Sequence, residues 1–189
     1  MISISDNDSA GACVHGSGYG YLNGTLASAG FLDPGTNNGI WLAGDYKEKG
    51  AKDKYPAFRI PCMNDTTTAQ GATALQLARL FTLMNDGTLV GALSSGEMLD
   101  LLTTSVAAGE VYSTRGQRVN FTAVHAKLGR GQLNNAGSDN GKDVLSEAAI
   151  LEHSSGRRFA VAWLNLIWGS SWEPVSLTLS RTFDEYLKP

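Results

Sequence analysis

The spacing of hydrophobic positions predicts two helices in the middle of the chain. Between residues 74 and 84 apolar side chains recur every three or four positions, the period of a helix with one buried face. The sequence Asn85-Asp86-Gly87 is typical of the end of such a helix. A second helix is predicted from Ser94 to about Thr104, because Ser94 and Glu97 form the pattern of a capping box.

The flanking regions have a weaker pattern. A short helix is predicted from Tyr21 to Ala29, and a closing helix from Leu179 to Leu187. The segment Asp33–Asp65 has no clear period and is predicted to be long and irregular. The glycine-rich stretch Gly16–Gly20 is predicted to be a flexible loop, since it lacks the ending of a phosphate-binding loop.

The last third of the chain is rich in residues that favour β-structure. Three antiparallel strands are predicted, at Val119–Lys127, Val144–His153 and Arg158–Leu166. The second and third are joined at hairpin distance by Ser154–Arg157. Apolar residues occupy both faces of the third strand, so both of its faces are expected to be covered.

Composition excludes several classes of protein but does not indicate a function. The chain has 189 residues, 42% of them hydrophobic and 17% charged, and we expect one domain over residues 1–189. A net charge of -3 argues against a nucleic-acid partner. No apolar run is long enough to span a membrane, and the N-terminus lacks the pattern of a signal peptide. No metal-ligand spacing is present, and Cys13 and Cys62 are compatible with one disulfide or with none.

Two short motifs carry the chemistry of this sequence. Ser5-Asp6-Asn7 lies near the start, and Lys127-Leu128-Gly129 lies at the end of the first predicted strand. They resemble the S-D-N and K-T-G motifs that serine β-lactamases and penicillin-binding proteins use beside an S-x-x-K nucleophile. Residues 65–68 and the hairpin 146–164 are also similar to the class A enzymes of this family. Without the resemblance, the same motifs would indicate a helix cap or turn and an exposed lysine.

The resemblance implies a role for each motif residue in acyl transfer. Ser5 would relay a proton to the leaving nitrogen, and Asn7 would hold the amide carbonyl of the substrate. Lys127 would hold Ser5 and the substrate carboxylate in a positive field. Gly129 would let the substrate lie along the strand edge, and the backbone N–H of Arg130 would be one of two oxyanion donors.

The sequence departs from the family pattern at three places. No serine is followed by lysine three positions later, so S-x-x-K is absent, and the resemblance places it ahead of Met1. We therefore expect a complementary N-terminal segment, a partner chain or a swapped copy to complete the fold. Leu128 replaces the hydroxyl residue of K-T-G. Glu48 and Asp53 are the candidates for the deacylating glutamate, but Glu48 lies four residues too early and the side chain of Asp53 is one methylene too short.

The resemblance implies an α/β (α+β) sandwich of β-lactamase and transpeptidase type, with an antiparallel sheet flanked by helices and incomplete at the N-terminus. The expected function is part of a serine hydrolase that forms an acyl-enzyme with β-lactam or D-Ala-D-Ala-like amides. The alternatives are a non-catalytic binding or sensor relative and an inactive truncated fragment. The resemblance implies a periplasmic or secreted protein that needs no cofactor or metal.

Overall fold

The computed structural model describes residues 1–36, 38–42, 71–105, 109, 111–112, 119–132, 142–168 and 173–188. They form two compact units, the first made of Met1 and residues 3–77 and the second of Ile2 and residues 78–189. Each unit contains a three-stranded sheet among its described residues. The single domain expected over residues 1–189 stays a prediction.

The first unit combines two helices with a small antiparallel sheet. Its elements are α1 (Asn7–Ser17), α2 (Tyr19–Ser28), β1 (Leu32–Asp33), β2 (Asn38–Trp41) and β3 (Gly71–Ala72). Trp41 and Leu32 are buried together in its small core. The amide of Asn23 donates to the carbonyl of Leu42 at 2.7 Å and accepts from its N–H at 2.9 Å. This two-way bond fastens α2 to the end of β2.

The glycine-rich stretch Gly16–Gly20 is helical, so the prediction of a flexible loop there is wrong. Gly18, with φ 83°, is the single residue between α1 and α2. The helix predicted from Tyr21 is present but begins at Tyr19, whose side chain is buried. Burial of an aromatic side chain outweighs the low helix propensity of the neighbouring glycines.

The second unit contains the elements that the sequence predicts most clearly. They are α3 (Ala74–Asn85), which begins in the first unit, followed by α4 (Ala92–Thr103), β4 (Phe121–Gln132), β5 (Lys142–His153), β6 (Arg158–Trp168) and α5 (Glu173–Tyr186). The predicted capping box is wrong, because α4 begins after Gly91 and no side chain caps it. The closing helix begins at Glu173, earlier than predicted.

The sheet of the second unit has contacts on both faces, although Leu164 of β6 is 37% exposed and the predicted cover of both faces of that strand is wrong there. Its strands are ordered β4-β5-β6, and both pairs are antiparallel. One face packs against Val111, Tyr112 and residues of α5, among them Phe183. The other face contacts α4 through β4. The predicted antiparallel sheet flanked by helices is therefore confirmed.

The strands are longer than the apolar pattern alone indicates. Pairing of β4 with β5 continues as far as Gln132 opposite Asp143, so Lys127 lies inside β4 rather than at its end. The turn 154–157 closes the hairpin as predicted, with a hydrogen bond of 2.8 Å from the N–H of His153 to the carbonyl of Arg157. In the part of the chain that is described, no helix has the length and apolar character needed to cross a bilayer.

Candidate active site

The Ser5-Asp6-Asn7 motif forms the start of α1. Asp6 is the N-cap, and its carboxylate accepts from the N–H of Ser9 at 3.0 Å and from the Ser9 hydroxyl. These two hydrogen bonds, the hydroxyl first, lower the pKa of Asp6. Ser5 and Asn7 flank the cap and are both exposed. The interpretation of the triplet as a helix cap is thus correct for Asp6.

Ser5 has an unusual backbone conformation. Its φ of 52° is in the left-handed region, and it is the only residue other than glycine with positive φ among those described. Serine rarely adopts this conformation, and such strain is found preferentially at functional sites. The geometry of Ser5 therefore makes it a candidate functional residue independently of the motif.

Lys127 lies on β4 opposite Ala148 and is half-buried. Its Nζ donates a hydrogen bond of 2.8 Å to the carbonyl of Leu128. Burial lowers the pKa of Lys127, and the negative charge of Glu147 acts in the opposite direction. A partly desolvated cation of this kind interacts more strongly with an anionic ligand than a lysine fully in water does.

Leu128 and Glu147 face away from Lys127, on the α5 side of the sheet. They are paired across β4 and β5, and Leu128 packs against the core of the second unit. The departure from the K-T-G pattern therefore has a packing consequence: the side chain at this position fills the core.

Gly129 and Arg130 continue β4 beyond Lys127. Gly129 is exposed and lies opposite Ser146. A Cβ built on Gly129 would meet the carbonyl of Ser146 at 3.7 Å, an ordinary contact, so the fold itself does not require glycine here. Arg130 lies opposite Leu145 within the ladder. The role of Gly129 in substrate binding stays a prediction.

Glu147 is a buried charged residue that the sequence analysis missed. With 1% exposure, it accepts hydrogen bonds from the backbone N–H groups of Gly109 and of Val111, the second at 2.8 Å. The hydroxyl of Tyr112 donates to the backbone carbonyl of Glu147 at 2.7 Å. Burial and the Glu147 charge raise the pKa of Tyr112. The sequence contained one signal for it: an acidic residue at a core-facing position of a strand indicates a buried carboxylate that needs hydrogen-bond partners.

The structure brings only some of the predicted site residues together. Lys127, Gly129 and Arg130 are contiguous on β4, whereas Ser5 and Asn7 belong to the first unit. Convergence of the two groups on one ligand stays a prediction. Glu48 lies outside the described residues, and so do Asp53 and Cys62, so their roles also stay predictions. Among the described residues no cluster of three His, Cys, Asp or Glu side chains is arranged to hold a metal ion.

The fold is that of class A β-lactamases. A class A β-lactamase from Bacteroides cellulosilyticus superposes with a TM-score of 0.66 over 97% of this chain, at 13% sequence identity. A β-lactamase from Sphaerobacter thermophilus superposes with a TM-score of 0.56 over 100% of the chain, at 19% identity. The chain spans 61% of the length of each. No protein-family model and no curated protein matches the sequence. At these identities the likeness establishes the fold.

Proposed function

We propose that this chain provides part of the active site of a serine hydrolase that forms an acyl-enzyme with β-lactams or related D-Ala-D-Ala-like amides. The observation that carries the proposal is Lys127, a partly desolvated cation beside the open strand edge at Gly129. It lies within a fold shared with class A β-lactamases over almost the whole chain. The strained backbone of Ser5, in the Ser5-Asp6-Asn7 motif, supports the same function.

In this proposal each side chain acts at a defined atom of the substrate. The nucleophilic serine of an S-x-x-K motif, supplied from outside this sequence, attacks the amide carbonyl and opens the C–N bond. Ser5 passes a proton to the departing nitrogen, and Asn7 holds the substrate amide. Lys127 attracts the substrate carboxylate, while the backbone N–H of Arg130 donates to the developing oxyanion.

The proposal includes a source for the missing nucleophile. No residue of this sequence supplies S-x-x-K. A complementary segment, a partner chain or a swapped copy would therefore complete the site. The structurally similar β-lactamases are longer than this chain, which spans 61% of their length. This difference in length supports the proposal that another segment completes the site. A periplasmic or secreted location is part of the same proposal.

The test is acylation by a fluorescent penicillin after the chain is combined with a segment carrying S-x-x-K. We expect a covalent adduct on the serine of the segment, and a reduced rate of adduct formation with Lys127→Ala. Lys188→Ala is the matched control, because Lys188 is exposed and its Nζ pairs with Glu185. Equal adduct formation by wild type and Lys127→Ala, or no adduct at all, would contradict the proposal.

A second candidate is a sensor that binds the ligand without turning it over. Leu128 favours it, because the side chain at this K-T-G-like position is apolar and turned into the core. The same acylation experiment separates the two functions by time course. Loss of the adduct within minutes indicates a hydrolase, and an adduct that persists for hours indicates a sensor.

A further inference from the structure

His125 lies on β4 two residues before Lys127, and both side chains project from the same face of the strand. Its Nδ1 is 2.7 Å from the hydroxyl oxygen of Thr103 and 3.1 Å from the carbonyl oxygen of Leu99. Both partners belong to the last part of α4. These contacts join the C-terminal end of α4 directly to the strand that carries Lys127.

The distances around His125 favour a proton on Nδ1. A carbonyl oxygen can only accept, so the 3.1 Å contact with Leu99 is a hydrogen bond only in the tautomer that carries a proton on Nδ1. The Thr103 hydroxyl donates its own proton to the same carbonyl at 3.0 Å, which leaves its oxygen free to accept from Nδ1–H. The result is a relay from the imidazole to the hydroxyl and on to the carbonyl. An unprotonated Nδ1 would place its lone pair against a lone pair of the Leu99 carbonyl oxygen.

We propose that His125 is a positioning residue of the acyl-transfer site, which acts through Lys127. Through Nδ1–H it would hold β4 against the end of α4 and keep the Lys127 ammonium in place for the carboxylate of an anionic amide substrate. Same-face neighbours on a strand are about 6.8 Å apart, so a displacement of the β4 backbone at His125 also displaces Lys127. The inference rests on the proposed function, because the substrate class comes from there.

Two near-isosteric substitutions separate the two ring nitrogens. In His125→Asn the side-chain amide nitrogen lies near the position of Nδ1, whereas in His125→Gln it lies near that of Nε2. The chain is combined with a complementary segment in which alanine replaces the serine of S-x-x-K, so that binding is not followed by acylation. We expect the dissociation constant of benzylpenicillin to rise about tenfold in His125→Gln and less than about threefold in His125→Asn, the size of one hydrogen bond. Thermal unfolding of both variants checks that their stabilities match.

A third variant tests the relay without changing the imidazole. Thr103→Val removes the hydroxyl at constant shape, and we expect it to weaken binding as His125→Gln does. Thr104→Val is the matched control, since the Thr104 hydroxyl donates to the carbonyl of Leu101 instead. Equal binding by the Thr103→Val and Thr104→Val variants would overturn the proposal.

The protonation pattern gives a readout that does not depend on a ligand. Long-range ¹H–¹⁵N NMR spectra of the wild-type chain near neutral pH should show the Nδ1–H form of His125. The Nε2–H form in a chain that binds benzylpenicillin would overturn the positioning role alone. Absence of benzylpenicillin binding by the wild-type chain combined with the complementary segment would instead overturn the proposed function, and the positioning role with it.

Discussion

Glu147 introduces a carboxylate into the interior of the second unit, and backbone N–H groups of Gly109 and Val111 compensate for its burial. Gly109 has φ 79°, and a Cβ there would lie 2.8 Å from that of Ala123, so glycine is required at this close approach. Residues 109, 111 and 112 are thus held to β5 by polar contacts with Glu147, in addition to the burial of Val111.

We predict that Glu147→Gln lowers the free energy of unfolding by about 1–3 kcal/mol. The glutamine amide keeps the shape but offers one acceptor oxygen where the carboxylate has two, so its NH₂ faces a backbone donor. Urea unfolding measures the loss. Glu152→Gln on the same strand is the control, because Glu152 is partly exposed and its ion pair with Arg158 is worth about 1 kcal/mol or less. Equal losses would contradict this account of Glu147.

Gly129 provides a substitution that separates binding from folding. We predict that Gly129→Ala leaves the midpoint of urea unfolding nearly unchanged, because the added Cβ makes only an ordinary contact with Ser146. Binding of benzylpenicillin, measured by calorimetry, should weaken because the methyl group narrows the strand edge. Undiminished binding by a folded variant would remove Gly129 from the site.

At the scale of elements, α1 shows where prediction from the sequence stops. The chain from Asn7 to Ser17 contains glycine and serine and has no strong apolar face, so its sequence does not predict a helix. The Asp6 cap begins the helix, and the cap was correctly foreseen as one use of the triplet. By contrast α3 has a clear helical period, and β5 and β6 are runs of residues that favour β-structure; all three form where the sequence indicates.

The Asp6 cap gives α1 a predictable dependence on pH. The pKa of Asp6 is lowered by the hydroxyl and the N–H of Ser9, so its contribution to stability is present above its ordinary pKa near 3.8. That contribution is lost as the pH falls through the lowered folded-state pKa. We predict faster amide exchange of Ser9 in that acid range. In Asp6→Asn, which caps without titrating, exchange should lack this step. The same increase in Ser9 amide exchange at acid pH in wild type and in Asp6→Asn would show that the cap is not its cause.

At the scale of the whole molecule, local patterns predicted the three strands, and the resemblance to β-lactamases implied the helices that flank the sheet. The contacts of the residues in the candidate site could not be predicted from the sequence. Leu128 was recognised as a departure from K-T-G, yet only the register shows that its side chain packs in the core beside Glu147. The contacts of His125 with α4 join residues 22 and 26 positions apart, which no local pattern encodes.

The central claim is that Ser5, Asn7 and Lys127 act on one ligand. The most direct measurement is a titration with benzylpenicillin of the ¹⁵N-labelled chain, combined with a complementary segment in which alanine replaces the serine of S-x-x-K, followed through the backbone amide resonances of the chain. The account predicts that residues 5–7 and 127–130 shift together, with the same dissociation constant, and that Lys127→Ala weakens both responses equally. Shifts confined to one of the two segments, or two different dissociation constants, would contradict it.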